Sequence, residues 1–239
     1  MVSVEQLLLL DCIRRLAVLA TFIAAGVSDY RTRTIDNRIW LVGSLAAAPP
    51  LLYLYTKGFY APVPHLLSLA LALLLARRLW RARLAGRPIG EADPVAWVFL
   101  GLFEPPIRIA PLCFRGIIMV IIFGLPVPAV MSIVVFVLMP LCMLWDAAKN
   151  VRGGALETLK GQSLRAKISA LLRMRYVTRE EFLTKQHMYI PPSERGEPLP
   201  GKLENLPPRF WAKVLLPYVT LLAAGLLIYN LLLLYFCGI

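Results

Sequence analysis

The chain has 239 residues, 59% of them hydrophobic, a formal net charge of +12 and a mean hydropathy of +0.68. That apolar content is too high for an ordinary soluble domain of this length. Four scattered cysteines without a CxxC pair argue against a zinc element or a disulfide framework, and the basic charge lacks the stacking aromatics of a nucleic-acid surface.

In chain order, Met1-Val2-Ser3-Val4-Glu5-Gln6 has no basic region, and no small-residue cleavage site follows near Gly26. The first apolar run is therefore expected to be retained as a membrane span rather than removed as a signal peptide. About 20 helical residues cross a hydrocarbon layer. On that scale the apolar runs predict six spans, near residues 13–28, 39–55, 66–80, 94–103, 127–145 and 210–236. Residues 104–126 are apolar but broken by prolines, with Arg115 among them, which leaves open a longer fourth span, an extra crossing or an interfacial segment. The expected fold class is an all-α integral membrane protein of six transmembrane helices with a small cytoplasmic insertion before the last. The corresponding divisions are 1–147, the basic soluble region 148–209 and the last span 210–239.

Loop charge sets the expected orientation. Arg31, Arg33 and Arg38 follow the first span, and Arg77, Arg78, Arg81, Arg83 and Arg87 follow the third. Residues 148–213 carry thirteen Lys/Arg against six Glu, whereas Lys57 alone stands between the second and third spans. The basic loops are expected on the cytoplasmic side of the cell membrane and both termini outside, with Arg14 and Arg15 as the two charges that oppose this. Within the insertion, Leu164, Ile168, Leu171 and Leu172 share a helical face among Arg165, Lys167, Arg173 and Arg175. That pattern predicts a basic amphipathic helix on the inner membrane surface, and the proline-rich residues 190–208 predict an irregular tether.

Two carboxylates stand out. Asp29 ends the first span and Asp93 opens the fourth, so two intervening crossings bring both to one side of the membrane. An ionisable group at a span is costly and marks a functional candidate. The plain alternatives are an interfacial Asp29 paired with Arg31 or Arg33, and an Asp93 that caps its helix ahead of Pro94. Two carboxylates on one face are the minimum equipment of an aspartyl protease.

The run Asp29-Tyr30-Arg31-Thr32-Arg33-Thr34-Ile35-Asp36-Asn37-Arg38-Ile39-Trp40 resembles the first active-site motif of the type IV prepilin peptidases, most closely their archaeal preflagellin (prearchaellin) branch. Gly90-Glu91-Ala92-Asp93 resembles the family's Gly-x-Gly-Asp motif, with Ala92 in place of the second glycine and Val95 where lysine often stands. The resemblance covers most of the chain. It implies an aspartic endopeptidase with Asp29 and Asp93 catalytic, and Glu91, Gly90 and Asn37 as candidate substrate contacts. It further implies cleavage of the short basic leader from prearchaellin or prepilin precursors at the cytoplasmic face. The bacterial branch adds a cysteine-rich zinc element and N-methylation, and lacking those cysteines this chain is expected to cleave without methylating and without metal or cofactor.

Other readings compete. A presenilin-like protease would want a Tyr before the first aspartate and a Pro-Ala-Leu element, and Ser28 and the last span offer neither. A transporter or pilus-assembly scaffold with topological aspartates is the non-enzymatic alternative. His65 and His187 fall at opposite ends of the topology, so no metal site or triad is expected from them. Asp146 reads as an interfacial charge, near the pair only if the fifth span packs there.

Overall fold

A computed structural model describes residues 3–85, 89–106, 125–190, 207–215 and 217–237. Residues 107–124 and 191–206 fall outside these, and with them most of the proline-broken segment and of the expected tether. The chain divides into two compact units, Met1–Val135 with Pro217–Ile239, and Phe136–Leu216.

The first unit is helical. α1 (Val4–Thr32) starts at a capping box in which Ser3 and Gln6 exchange side-chain and backbone bonds at 3.0 and 3.2 Å. α2 (Asn37–Thr56) starts at Asp36, whose Oδ1 accepts the Arg38 N–H at 2.9 Å. α3 (Pro62–Leu84) opens on a proline, where the missing N–H costs nothing. α4 (Ala92–Phe103) follows, then α5 (Val127–Arg152), which continues into the second unit. Four described helices are long and apolar enough to cross a membrane: α2, α3, α5 and, after the insertion, Tyr218–Cys237. The two remaining expected spans differ for physical reasons. α1 is long but carries Asp11, Arg14 and Arg15 toward one end and Asp29 toward the other, and the described α4 has 12 residues, about 18 Å of rise.

α1 buries Val18, Phe22, Ala25, Gly26 and Asp29, a stripe at three- and four-residue spacing. α1 packs against α2 and the last helix, and α3 packs against α4. Small residues permit close approach. A methyl on Gly43 would lie 2.2 Å from Thr21 Oγ1, and one on Gly101 would lie 2.4 Å from Ala72 Cβ. Phe22, Trp40, Phe99 and Phe103 bridge α1, α2 and α4 with ring centroids 4.7–5.9 Å apart.

The second unit holds the end of α5, the short α6 (Ala155–Thr158), α7 (Leu164–Arg173) and α8 (Arg179–Thr184). A three-stranded antiparallel sheet in the order β1–β3–β2 joins β1 (Met174–Thr178), β2 (Tyr189–Ile190) and β3 (Arg209–Val214). In register, Tyr176 faces Trp211 and Ile190 faces Lys213. Val177, Phe182, Tyr189, Phe210 and Ala212 form its core.

This sheet revises the expected start of the last span. Phe210 and Ala212 point inward while Arg209 and Lys213 are exposed, a period of two that suits a half-buried strand. The final helix, α9 (Tyr218–Cys237), begins only after Pro217. Residues 210–214 therefore belong to the insertion. α7 matches the expected amphipathic helix in leaving Leu164 and Ile168 exposed beside Arg165 and Arg173.

Candidate active site

Three helix ends of the first unit converge: the last turn of α1, the first turn of α4 and the first turn of α9. α1 stops because Arg33 takes a left-handed conformation (φ 58°) and donates its N–H to Asp29 O at 3.1 Å. Ser28 Oγ donates to Thr34 O at 2.7 Å and Thr32 Oγ1 to Ser28 O at 2.9 Å, which tie down the turn. These bonds hold Asp29 on the buried face, 8% exposed.

Asp29 does not end at the surface. Its Oδ2 accepts the N–H groups of Val219 at 3.1 Å and Thr220 at 3.3 Å, with the Thr220 hydroxyl oxygen 3.4 Å away. These amides belong to the first turn of α9, which has no side-chain acceptor of its own before Pro217. Asp29 thus serves as a remote N-cap, worth about 0.5–2 kcal/mol, and its charge complements the positive end of the α9 dipole. Its Oδ1 lies 3.6 Å from Arg33 Nη1, so the expected pairing within that loop is to Arg33. Gly26, one turn earlier, brings the backbones together: an added methyl would lie 3.0 Å from Ala223 Cβ, and the Thr220 hydroxyl donates to Gly26 O at 2.7 Å.

Asp93 is 9% exposed and is the second residue of α4. The expected capping role is corrected here. The residue at the N-cap is Glu91, whose side chain makes no capping bond, and Pro94 is the third helical residue rather than the first. Asp93 Oδ2 instead reaches back to accept the Gly90 N–H at 3.0 Å. Asp29 and Arg33 both act electrostatically on Asp93, as does Asp93 on Tyr218. One turn along α4, buried Trp97 donates its indole N–H to the Tyr218 hydroxyl at 3.2 Å, which leaves that hydroxyl's own proton available to an acceptor.

The candidate substrate contacts fare unequally. Gly90 stands beside the Asp93 carboxyl, 3.6–3.7 Å from where its own side chain would begin. Glu91 is exposed and pairs with Arg83. Asn37 is the exposed first residue of α2. His65 stacks on Tyr55, and its Nε2 lies 2.9 Å from Gly101 O, a packing role between α3 and α4. Asp146 pairs at 3.5 Å with Arg175 inside the second unit.

Two features escaped the sequence reading. Trp97, Tyr218 and Thr220 surround the two aspartates, but a last span begun at Phe210 puts Tyr218 and Thr220 inside hydrocarbon; Pro217 was the available signal. The second is a buried ionic cluster. Arg14 Nε and Arg15 Nε each donate to Asp11 at 2.9 Å, and both guanidinium groups reach Glu104 Oε2 at 3.3–3.4 Å. Arg14 also donates to Phe103 O, and Tyr60 donates to Asp11. Arg14 and Arg15 are therefore compensated charges rather than misplaced ones, and the Asp11-Arg14-Arg15 spacing of three and four residues was the readable sign. The α1 members of the cluster lie 14–18 residues, about 21–27 Å of helix, from Asp29.

Among the described residues no three His, Cys, Asp or Glu side chains converge in a way that suits a metal ion. Comparisons with protein-family models, curated proteins and solved structures return no match to this chain.

Proposed function

We propose that this protein is a membrane aspartyl endopeptidase. Its expected substrates are prearchaellin and type IV prepilin precursors, whose short basic leaders it removes at the cytoplasmic face without methylating the new N-terminus. The observation that carries the reading is the placement of Asp29 and Asp93: they are 64 positions apart in sequence, yet both are buried at helix ends of one unit, with the Asp29 charge acting on Asp93. The motif resemblance supplies the substrate class, and the six-span topology with both termini outside belongs to the same proposal.

In this reading Asp29 Oδ2 and Asp93 Oδ2 are held by backbone donors, and the Oδ1 oxygens, that of Asp29 beside Arg33, hold the attacking water. One carboxylate takes a proton from that water as it attacks the scissile carbonyl. The other, protonated, polarises the carbonyl oxygen. The mechanism needs one acid and one base, so cleavage should follow a bell-shaped pH profile. Arg33, 3.6 Å from Asp29, limits the net negative charge of the site.

A second reading, a non-enzymatic scaffold or transporter, is favoured by one observation: Asp29 already has a structural task in capping α9. Cleavage of a prepilin bearing its leader, measured with wild type, Asp29→Asn and Asp93→Asn in membranes, separates the two. Loss in both variants is expected of the peptidase. Persistent cleavage in both would sink the dyad, and no cleavage by wild type would favour the scaffold.

A further inference from the structure

The second unit contains a basic cavity that the proposed peptidase does not use. It has a volume of about 260 Å³ and is lined by Lys149, Arg152, Arg175 and Arg209, with Glu181 the one carboxylate among its described lining residues. Arg175 is neutralised, at 3.1 Å from Glu181 and 3.5 Å from Asp146. Arg209 donates to Gly153 O at 3.1 Å. Among the described residues no carboxylate lies within ion-pair distance of Lys149, Arg152 or Arg209. The described wall of the cavity therefore carries more cationic than anionic groups.

The floor is rigid. Asn150, 1% exposed, donates to Leu171 O at 3.1 Å and Met174 O at 2.7 Å, and its Oδ1 accepts the Tyr176 N–H at 2.9 Å. These bonds tie the end of α5 to β1, so Lys149 and Arg152 are carried on a fixed helical turn. The apolar stretch of α5 ends at exposed Trp145, over whose ring the Lys149 ammonium sits at 5.3 Å. Lys149 is about 6 Å and Arg152 about 10 Å beyond Trp145 along the axis. A headgroup layer is about 5–8 Å deep on each side of the hydrocarbon. With Trp145 at the hydrocarbon edge, Lys149 falls within that layer and Arg152 just beyond it, where juxtamembrane basic pockets bind anionic headgroups.

We infer that this cavity is a phosphate-recognition site, its ligand an anionic phospholipid headgroup or a soluble phosphate. Recognition is by charge-assisted hydrogen bonds from Lys149, Arg152 and Arg209, with the guanidinium groups offering two-pronged contacts to phosphate oxygens.

The test uses the full chain in detergent. Its thermal unfolding midpoint is followed while dioctanoyl phosphatidylglycerol, dioctanoyl phosphatidylcholine or inorganic phosphate is added, and native mass spectrometry counts bound lipid in the same samples. Phosphatidylglycerol is expected to raise the midpoint more than phosphatidylcholine. Lys149→Gln/Arg152→Gln should weaken the apparent affinity at least about tenfold, the loss of one charged hydrogen bond. Arg77→Gln/Arg78→Gln, which removes the same charge from exposed positions of α3, should leave it unchanged. A response to phosphatidylglycerol alone assigns the lipid, and an equal response to inorganic phosphate assigns the soluble ion. Equal effects of both lipids, unaltered binding by the Lys149/Arg152 variant, or equal loss in the α3 variant would overturn the site.

Discussion

At the scale of single residues, tight contacts and two hydrogen-bonded side chains carry the testable content. Gly101→Ala places a methyl 2.4 Å from Ala72 Cβ and 3.3 Å from the Leu69 backbone. It should destabilise the α3–α4 pair by about 1–3 kcal/mol, and Ala72→Gly in the same chain should restore part of the loss, measured by thermal unfolding in micelles. Tyr218→Phe removes the acceptor of the Trp97 indole and a hydroxyl in the electrostatic reach of Asp93. In the prepilin assay it should lower kcat about two- to tenfold with little change in KM, the signature of a group that positions the acid pair rather than the substrate. In the second unit, burial raises the Tyr189 phenol above its ordinary value of about 10. Because the folded value is raised, the associated stability is complete below about pH 10 and is lost as pH climbs toward the folded value. Any advantage of wild type over Tyr189→Phe in chemical unfolding at pH 8 should therefore vanish in alkaline solution.

At the scale of elements, the sequence was readable wherever a long run shared one period. α2, α3 and α5 announce themselves as apolar runs of spanning length, and Pro49, Pro50 and Pro140 are accommodated inside them. The strand Arg209–Val214 was not readable, because six residues of alternation abut the apolar run of α9 and merge with it by composition. Asp29 was legible as a site but not in its task, since its partners lie on a helix 190 positions away. The ionic cluster was half legible: the α1 triplet has a local signature, whereas Glu104 joins it only through tertiary packing. Arg14→Met would leave Asp11 and Glu104 buried beside a single guanidinium. A loss of about 3–5 kcal/mol is expected in unfolding, against a smaller one for Arg14→Lys. Asn150→Ala should cost about 1–3 kcal/mol for each backbone group it strands, and faster hydrogen exchange at the Tyr176 amide would locate the damage.

At the scale of the whole molecule, charge placement makes the claim. Lys57 and the insertion are expected on opposite sides of the membrane. Single cysteines at Lys57 and Arg165 in a background without native cysteines should react with an impermeant maleimide from outside and inside respectively. Reaction of both from one side would overturn the topology.

The capping of α9 by Asp29 has a consequence in time. A ribosome delivers α1 first and Thr220 some 190 residues later. Until then the carboxylate has no amides to bind, and the first helix holds an unfinished half of the proposed centre. A later segment of the chain thus completes an earlier one, and nascent chains stalled before Pro217 should be inserted yet hydrolytically silent. A membrane protease assembled in this order would be withheld from neighbouring substrates until its own synthesis has passed the last helix.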